Sequence, residues 1–203
     1  MNEVRHIVFD IGKVLIHYDP DLAFSRLIPD HAERRWFFEN VCTPDWNIEQ
    51  DRGRTWEEAE ALAIGAHPSH AENIRNFRRN WHEMVPHAYD DSVEIMEGLI
   101  DSGHDVTMLT NFASDTFVEA TERFAFLKRP RGVTVSGDVR MIKPERGIYE
   151  RHAATFGLEP GASLFIDDSQ KNVDGAIAAG WQSVLFTDAA TLRKDLSERG
   201  ISL

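Results

Sequence analysis

Five short apolar runs stand out from a chain of otherwise mixed polarity: HIVFDI (6–11), DVTMLT (105–110), GVTVSG (132–137), SLFIDD (163–168) and QSVLF (182–186). Each holds several β-branched or large apolar residues with little alternation, the pattern of strands covered on both faces. Apolar positions at helical spacing follow three of them: Phe117, Ala120, Thr121 and Phe124 after the second run, Ile148 to Phe156 after the third, and Val173 to Ala179 after the fourth. Strand and helix alternating in this way predict an α/β fold, a Rossmann-like parallel sheet with helices on both faces.

The segment between the first two runs differs. From about residue 20 to 85 it has no convincing strand and is rich in Trp, Arg and Glu. Thr55-Trp56-Glu57-Glu58 has the form of a capping box, opening a helix through Ala59 and Leu62. Pro86 marks the return to the core, and residues 90–102 read as a helix ended at Gly103. The chain is therefore expected to divide into an α/β core, residues 1–18 and 86–203, and an inserted helical domain, residues 19–85.

Composition narrows the classes. An apolar fraction of 42% over 203 residues suits a globular protein with one sizeable core. No apolar run approaches the roughly 20 residues of a membrane span, and the N-terminus lacks a signal-peptide pattern. The single cysteine, Cys42, allows no internal disulfide, and a cytoplasmic location is expected. The formal net charge of −12 opposes nucleic-acid binding, although a local positive site can still take a small anion.

Chemistry gathers at the C-terminal ends of the strands. The first run ends in Asp10, with Gly12 two residues on; the second ends in Thr110-Asn111; Lys143 follows the third, in MIKPERGIY; the fourth ends in Asp167-Asp168. Each has an ordinary explanation when taken singly. Asp10 would be a turn residue, Thr110-Asn111 and Asp167-Asp168 would cap helices, and Lys143 would be a solvated loop lysine. Their coincidence at neighbouring strand ends, where open α/β sheets bind ligands, points instead to one crevice. Two adjacent acids at an apolar strand end also repel each other without a cation. Carboxylates and a backbone carbonyl are hard donors suited to Mg²⁺, and a metal with a lysine and backbone amides makes a phosphoryl site. A carboxylate free to attack forms an aspartyl-phosphate, and Asp10 is the candidate.

These motifs together resemble the haloacid dehalogenase superfamily. FDIGKVL is similar to its first motif, LTN to its second, IKPERGIY to its third and FIDDSQKNVDGAIAAG to its fourth, in order and through the whole core, and the insertion is similar to its small helical cap. The resemblance implies Asp10 as nucleophile, Thr110 and the Asn111 amide gripping phosphoryl oxygens, and Lys143 neutralising phosphate and nucleophile. It implies Asp10, the Gly12 carbonyl and Asp168 as Mg²⁺ ligands, with Asp167 acting through water or Lys143 and Asn172 supporting the acids from behind. A small phosphorylated metabolite is the implied substrate.

Gly12 departs from the family pattern, in which phosphatases usually carry a second Asp that protonates the leaving group, a contribution worth about 10²–10⁴-fold. The leading expectation is a phosphatase of the branch with glycine at this position, which includes sugar-1-phosphate phosphatases. A metal-independent 2-haloacid dehalogenase and a non-catalytic binder of a phosphometabolite or protein are the alternatives. A two-component receiver domain uses similar residue types in another order and does not fit. His17 is the candidate to replace the missing acid by its ionisation range, and the inserted helices offer no strong one. Trp36, Trp46, Trp56 and Trp81 are expected to pack within the insertion, and Arg52 to reach a substrate's polar end.

Overall fold

The computed structural model describes residues 3–203. Among these, five strands form one parallel sheet: β1 His6–Phe9, β2 Asp105–Thr110, β3 Val133–Val135, β4 Ser163–Asp167 and β5 Gln182–Leu185. All five fall within the apolar runs, and their residues are mostly buried because helices cover both faces. The third run stops short, since Ser136–Val139 turn into a single helical turn rather than extending the strand.

Spatial order is β3-β2-β1-β4-β5. The first three strands are laid down in one direction from β1 and the last two in the other, so the order reverses between β1 and β4. Pairing sets the register there: Phe9 lies beside Met108 of β2 and Ile166 of β4. A crevice opens beyond the carboxyl ends at such a reversal, because the connections on its two sides lead away from each other.

Between β1 and β2 the chain forms helices Pro20–Leu27, His31–Asn40, Pro44–Asp51, Trp56–Ala66, Ala71–Arg79 and Trp81–Met84. The capping box at Thr55 is complete, with Thr55 Oγ1 accepting the Glu58 amide and the Glu58 carboxylate accepting the Thr55 amide. Phe24, Phe37 and Phe77 fill the middle of this helical segment, with rings 5.3 and 5.9 Å from Phe24. They belong to a cluster continuous with Ile7, Phe9 and Ile166 of the sheet. Entry and exit of the segment run side by side: Ile16 bridges Ala88, and the Asp19 amide donates to the Met84 carbonyl at 2.9 Å.

After the sheet's second strand, helices Ser114–Arg123, Arg146–Phe156 and Gln170–Ala178 follow β2, β3 and β4, as the spacing of apolar residues predicts. Helix Asp90–Asp101 leads into β2 and turns at Gly103, whose φ of 86° is one that glycine adopts without strain.

Candidate active site

Asp10 follows β1 and still belongs to the ladder, its amide donating to the Ile166 carbonyl at 2.9 Å. The chain then folds back at once, with the Ile11 carbonyl accepting the amides of Leu15 and Ile16 at 2.8 and 3.0 Å. Lys13, at the crest of this loop, takes a left-handed φ of 58°. The tight loop leaves the Asp10 carboxylate at the strand tip, 6% exposed, with one oxygen accepting the Ile11 amide at 2.7 Å.

Lys143 reaches this carboxylate from the loop after β3. Its ammonium lies 2.7 Å from Asp10 Oδ1 and 2.7 Å from Asp167 Oδ2, and donates to the Leu109 carbonyl at 3.1 Å. The side chain is thus not solvated, and the whole residue is only 2% exposed. Burial alone would lower its pKa, but the two carboxylates outweigh that and hold it above its ordinary value. Asn111 fixes the loop from the end of β2: its amide group donates to the Lys143 carbonyl at 3.0 Å and accepts the Lys143 amide at 2.8 Å.

Asp167 is fully buried and held from behind. The Ser169 amide donates to it at 2.8 Å, and the Asn172 side chain donates to both oxygens at 3.0 and 3.1 Å. Asp168 stays half-buried on the cavity wall. Burial and then the Asp167 charge raise its carboxyl above the usual range, against the pull of Lys13 and Lys143. Asp10, Asp167 and Asp168 each bring a carboxylate oxygen within 4.8 Å of the others. One ammonium cannot neutralise three such acids. Burial pushes the Asp10 carboxyl up to about 7, with Lys143 opposing and Asp167 assisting.

Thr110 ends β2, and its hydroxyl is buried with no hydrogen-bond partner among the described residues. Such an orphan costs about 1–3 kcal/mol, a cost that a bound phosphoryl oxygen would relieve. The adjoining cavity measures about 230 Å³; Gly12, Asn111 and Asp168 line it beside Tyr18, Trp56 and Trp81. It lies below the roughly 300–1,000 Å³ typical of drug-sized ligands.

The fold therefore brings Asp10, Gly12, Thr110, Asn111, Lys143, Asp167 and Asp168 to one end of the sheet. It directs two other candidates elsewhere. Arg52 is not on the cavity wall; its guanidinium pairs with Glu145 at 2.8 Å and Glu49 at 3.5 Å, joining the helical segment to the loop of Lys143. His17 bonds the Tyr89 hydroxyl at 2.8 Å and stacks on His87 at 4.9 Å, also off that wall. Two tryptophans do more than pack. Trp56 and Trp81 line the cavity, while Trp46 packs on Phe77 at 5.2 Å and Trp36 stays exposed. One carboxylate escaped notice in the sequence: Asp51, on the same wall at the end of helix Pro44–Asp51.

A family model described as haloacid dehalogenase-like hydrolase matches residues 47–186. The chain belongs to the haloacid dehalogenase-like hydrolases. The matched span holds Thr110, Asn111, Lys143, Asp167 and Asp168; Asp10 and Gly12 precede it and join the site through the pairing of β1 between β2 and β4. Among curated proteins, the chain is 39% identical over 61 residues to flavin mononucleotide hydrolase 1 of Arabidopsis thaliana, covering 30% of this chain and 25% of that protein. It is 37% identical over 60 residues to enolase-phosphatase E1 of Sorangium cellulosum, covering 30% and 26%. The match thus spans about a quarter of each relative's length.

Solved structures extend the likeness over the whole chain. A HAD-like family hydrolase from Porphyromonas gingivalis superimposes with a TM-score of 0.76 at 18% identity, covering 100% of both chains. A HAD family enzyme from Bacteroides thetaiotaomicron, in complex with magnesium and inorganic phosphate, gives 0.71 at 18% identity, covering 93% of this chain and 98% of that one. L-2-haloacid dehalogenase of Xanthobacter autotrophicus, with chloropropionic acid covalently bound, gives 0.67 at 16%, covering 98% and 85%. At these identities the likeness establishes the shared fold of this hydrolase family.

Proposed function

We propose that the protein is a Mg²⁺-dependent phosphatase of small phosphorylated metabolites, sugar phosphates among them, working through an aspartyl-phosphate on Asp10. The observation that carries this reading is the acid trio Asp10, Asp167 and Asp168, in which Lys143 pairs with Asp10 and Asp167 and leaves Asp168 facing the cavity. A haloacid dehalogenation needs no cation and gives such a carboxylate cluster no task. For a metal–phosphate site it is the fitting donor set.

Asp10, Asp168 and the Gly12 carbonyl would hold Mg²⁺, with Asp167 tied to Lys143. The ion supplies neutralisation of phosphoryl charge when bound. The chain's own groups do the rest. Asp10 attacks phosphorus, Lys143 favours its carboxylate form against burial, and the Thr110 hydroxyl and Asn111 amide receive the phosphoryl oxygens. The helical segment 19–85 acts as a cap whose Trp56 and Trp81, with Tyr18 at the edge of the core, surround the organic part of a small substrate and exclude water. Activities of the curated relatives, a flavin mononucleotide hydrolase and an enolase-phosphatase, support phosphate esters as the substrate class.

A phosphate-release screen over sugar phosphates, nucleotides and acyl phosphates, with Mg²⁺ and with chelator, tests the reading. Hydrolysis that disappears with chelator and returns with Mg²⁺ is expected. Halide release from 2-chloropropionate without metal would overturn it in favour of a dehalogenase.

A further inference from the structure

The hydrolysis outlined above lacks a proton donor for the leaving group, because position 12 carries no side chain. The backbone leaves room for one: a Cβ placed on Gly12 meets no heavy atom within 4 Å. Space for an acid beside Asp10 is therefore open to the cavity. The same cavity is walled by Asp51, a carboxylate to which the reaction has so far given no task.

Asp51 comes from the helical segment, yet it is fastened to the sheet. Ser136 Oγ donates to the Asp51 carbonyl at 2.5 Å and accepts the Phe112 amide at 2.8 Å, tying helix Pro44–Asp51 to the loop after β2. Two residues on, Gly53 has a φ of 100° and packs so closely that a Cβ there would stand 2.9 Å from the Gly137 carbonyl oxygen. Between them Arg52 grips Glu145, near Lys143 in sequence. Three successive residues thus anchor this corner, and the carboxylate does not depend on a floppy cap for its position.

Its surroundings suit a neutral acid. Among the described residues no cation pairs with Asp51, whereas Asp10 has the Lys143 ammonium at 2.7 Å. Desolvation pushes the Asp51 carboxyl up to about 7, against the Ala113 amide and the more distant Lys143 charge. The other titratable groups of this wall are Tyr18, Lys13 and Asp168; the Tyr18 hydroxyl is itself held far above its ordinary range, by burial first and then by the Asp51 charge. The two carboxyls thus differ in their contacts, Asp10 being held against an ammonium while Asp51 faces the cavity without one, an arrangement that leaves Asp51 free to carry a proton.

We propose that Asp51 is the general acid–base of this phosphatase, supplying from the helical segment the proton that position 12 does not. The proposal rests on the phosphatase reading. In the first step an Asp10 oxygen forms a bond to phosphorus, the bond from phosphorus to the leaving oxygen breaks with its electron pair on that oxygen, and the Asp51 proton moves there. The products are the alcohol, an aspartyl-phosphate and the Asp51 carboxylate. In the second step Asp51 takes a proton from water as that water bonds to phosphorus, the bond to Asp10 breaks, and phosphate leaves. Asp10 returns as carboxylate and Asp51 as acid.

The test compares kcat/KM for an alkyl phosphate, whose leaving group needs a proton, and a nitrophenyl phosphate, whose leaving group does not. Asp51→Asn and Asp51→Ala should lose about 10²–10⁴-fold on the alkyl ester and less than about tenfold on the aryl ester. The aryl ester should also show a burst of nitrophenol matching the enzyme concentration, as the phosphoenzyme waits for a base. Adding Gly12→Asp to either variant should restore the alkyl ester. Equal losses on both esters, with no burst and no rescue by Gly12→Asp, would overturn the proposal and leave Asp51 a structural anchor. Wild-type protein that releases no phosphate from any ester with Mg²⁺ would overturn the phosphatase reading, and this proposal with it, before any variant is compared.

Discussion

Replacing Thr110 by valine keeps a β-branched side chain of nearly the same shape and removes one oxygen. That oxygen is buried at the end of β2 with no partner among the described residues, so the fold bears its desolvation cost of about 1–3 kcal/mol in the absence of ligand. The variant should therefore be more stable than the wild type by a similar amount, or a rise of roughly 2–4 °C in Tm for each kcal/mol in a chain of this size. Activity should move the other way. A hydrogen bond to a charged phosphoryl oxygen is worth about 1.5–3 kcal/mol, so kcat/KM should fall roughly 10- to 150-fold. Inorganic phosphate with Mg²⁺ should also raise the Tm of the wild type more than that of the variant, since ligand stabilisation scales with affinity. Urea and thermal unfolding with and without phosphate, beside steady-state kinetics, read all three. A Thr110→Val protein that is less stable yet fully active would show that the hydroxyl serves the fold and not the phosphoryl group.

Asp10→Asn should fold normally and lose turnover by something on the order of 10³–10⁶-fold, as nucleophile removal does; substantial residual phosphate release would place the nucleophile elsewhere. Arg52→Ala should lower stability by at most about 1 kcal/mol, because its ion pairs are part-exposed and screened, and should leave KM within about twofold; a tenfold rise in KM would return Arg52 to the substrate. His152 is buried between the Thr107 and Thr134 hydroxyls at 3.0 and 2.8 Å, and burial, with Arg131 assisting, lowers its pKa from 6.5 to about 3. The unfolded chain binds a proton below pH 6.5 while the folded one does not, so this group's contribution is intact above 6.5 and is lost at up to about 1.4 kcal/mol per pH unit as pH falls toward 3. His152→Gln should be less steep by that slope in urea unfolding from about pH 7 to about pH 5, and parallel profiles would refute the assignment.

Much of the fold is local and so was legible in the chain itself. Uninterrupted apolar runs mark strands that helices must cover, and Thr55 with Glu58 marks a helix start because both limbs of the capping box lie within one turn. The strand ends could likewise be read as a site, since each polar residue there has an ordinary use singly but acids at two ends, Thr110-Asn111 at a third and Lys143 after a fourth coincide. Sequence spacing did not say which tips touch. The order β3-β2-β1-β4-β5 puts β1 between β2 and β4, and that adjacency, with the loop of Lys143 fixed by Asn111, brings the ammonium within 2.7 Å of both Asp10 and Asp167. Asp51 had no local mark at all: in Gln50-Asp51-Arg52 it reads as one more helix-end acid. Arg52 and His17 were assigned by residue type, while their actual partners, Glu145 and Tyr89, lie 93 and 72 residues away. Local pattern records which side chains are buried, because burial follows the period of each element. Which distant side chains meet is decided by strand order, register and packing, and those exist only in the folded chain.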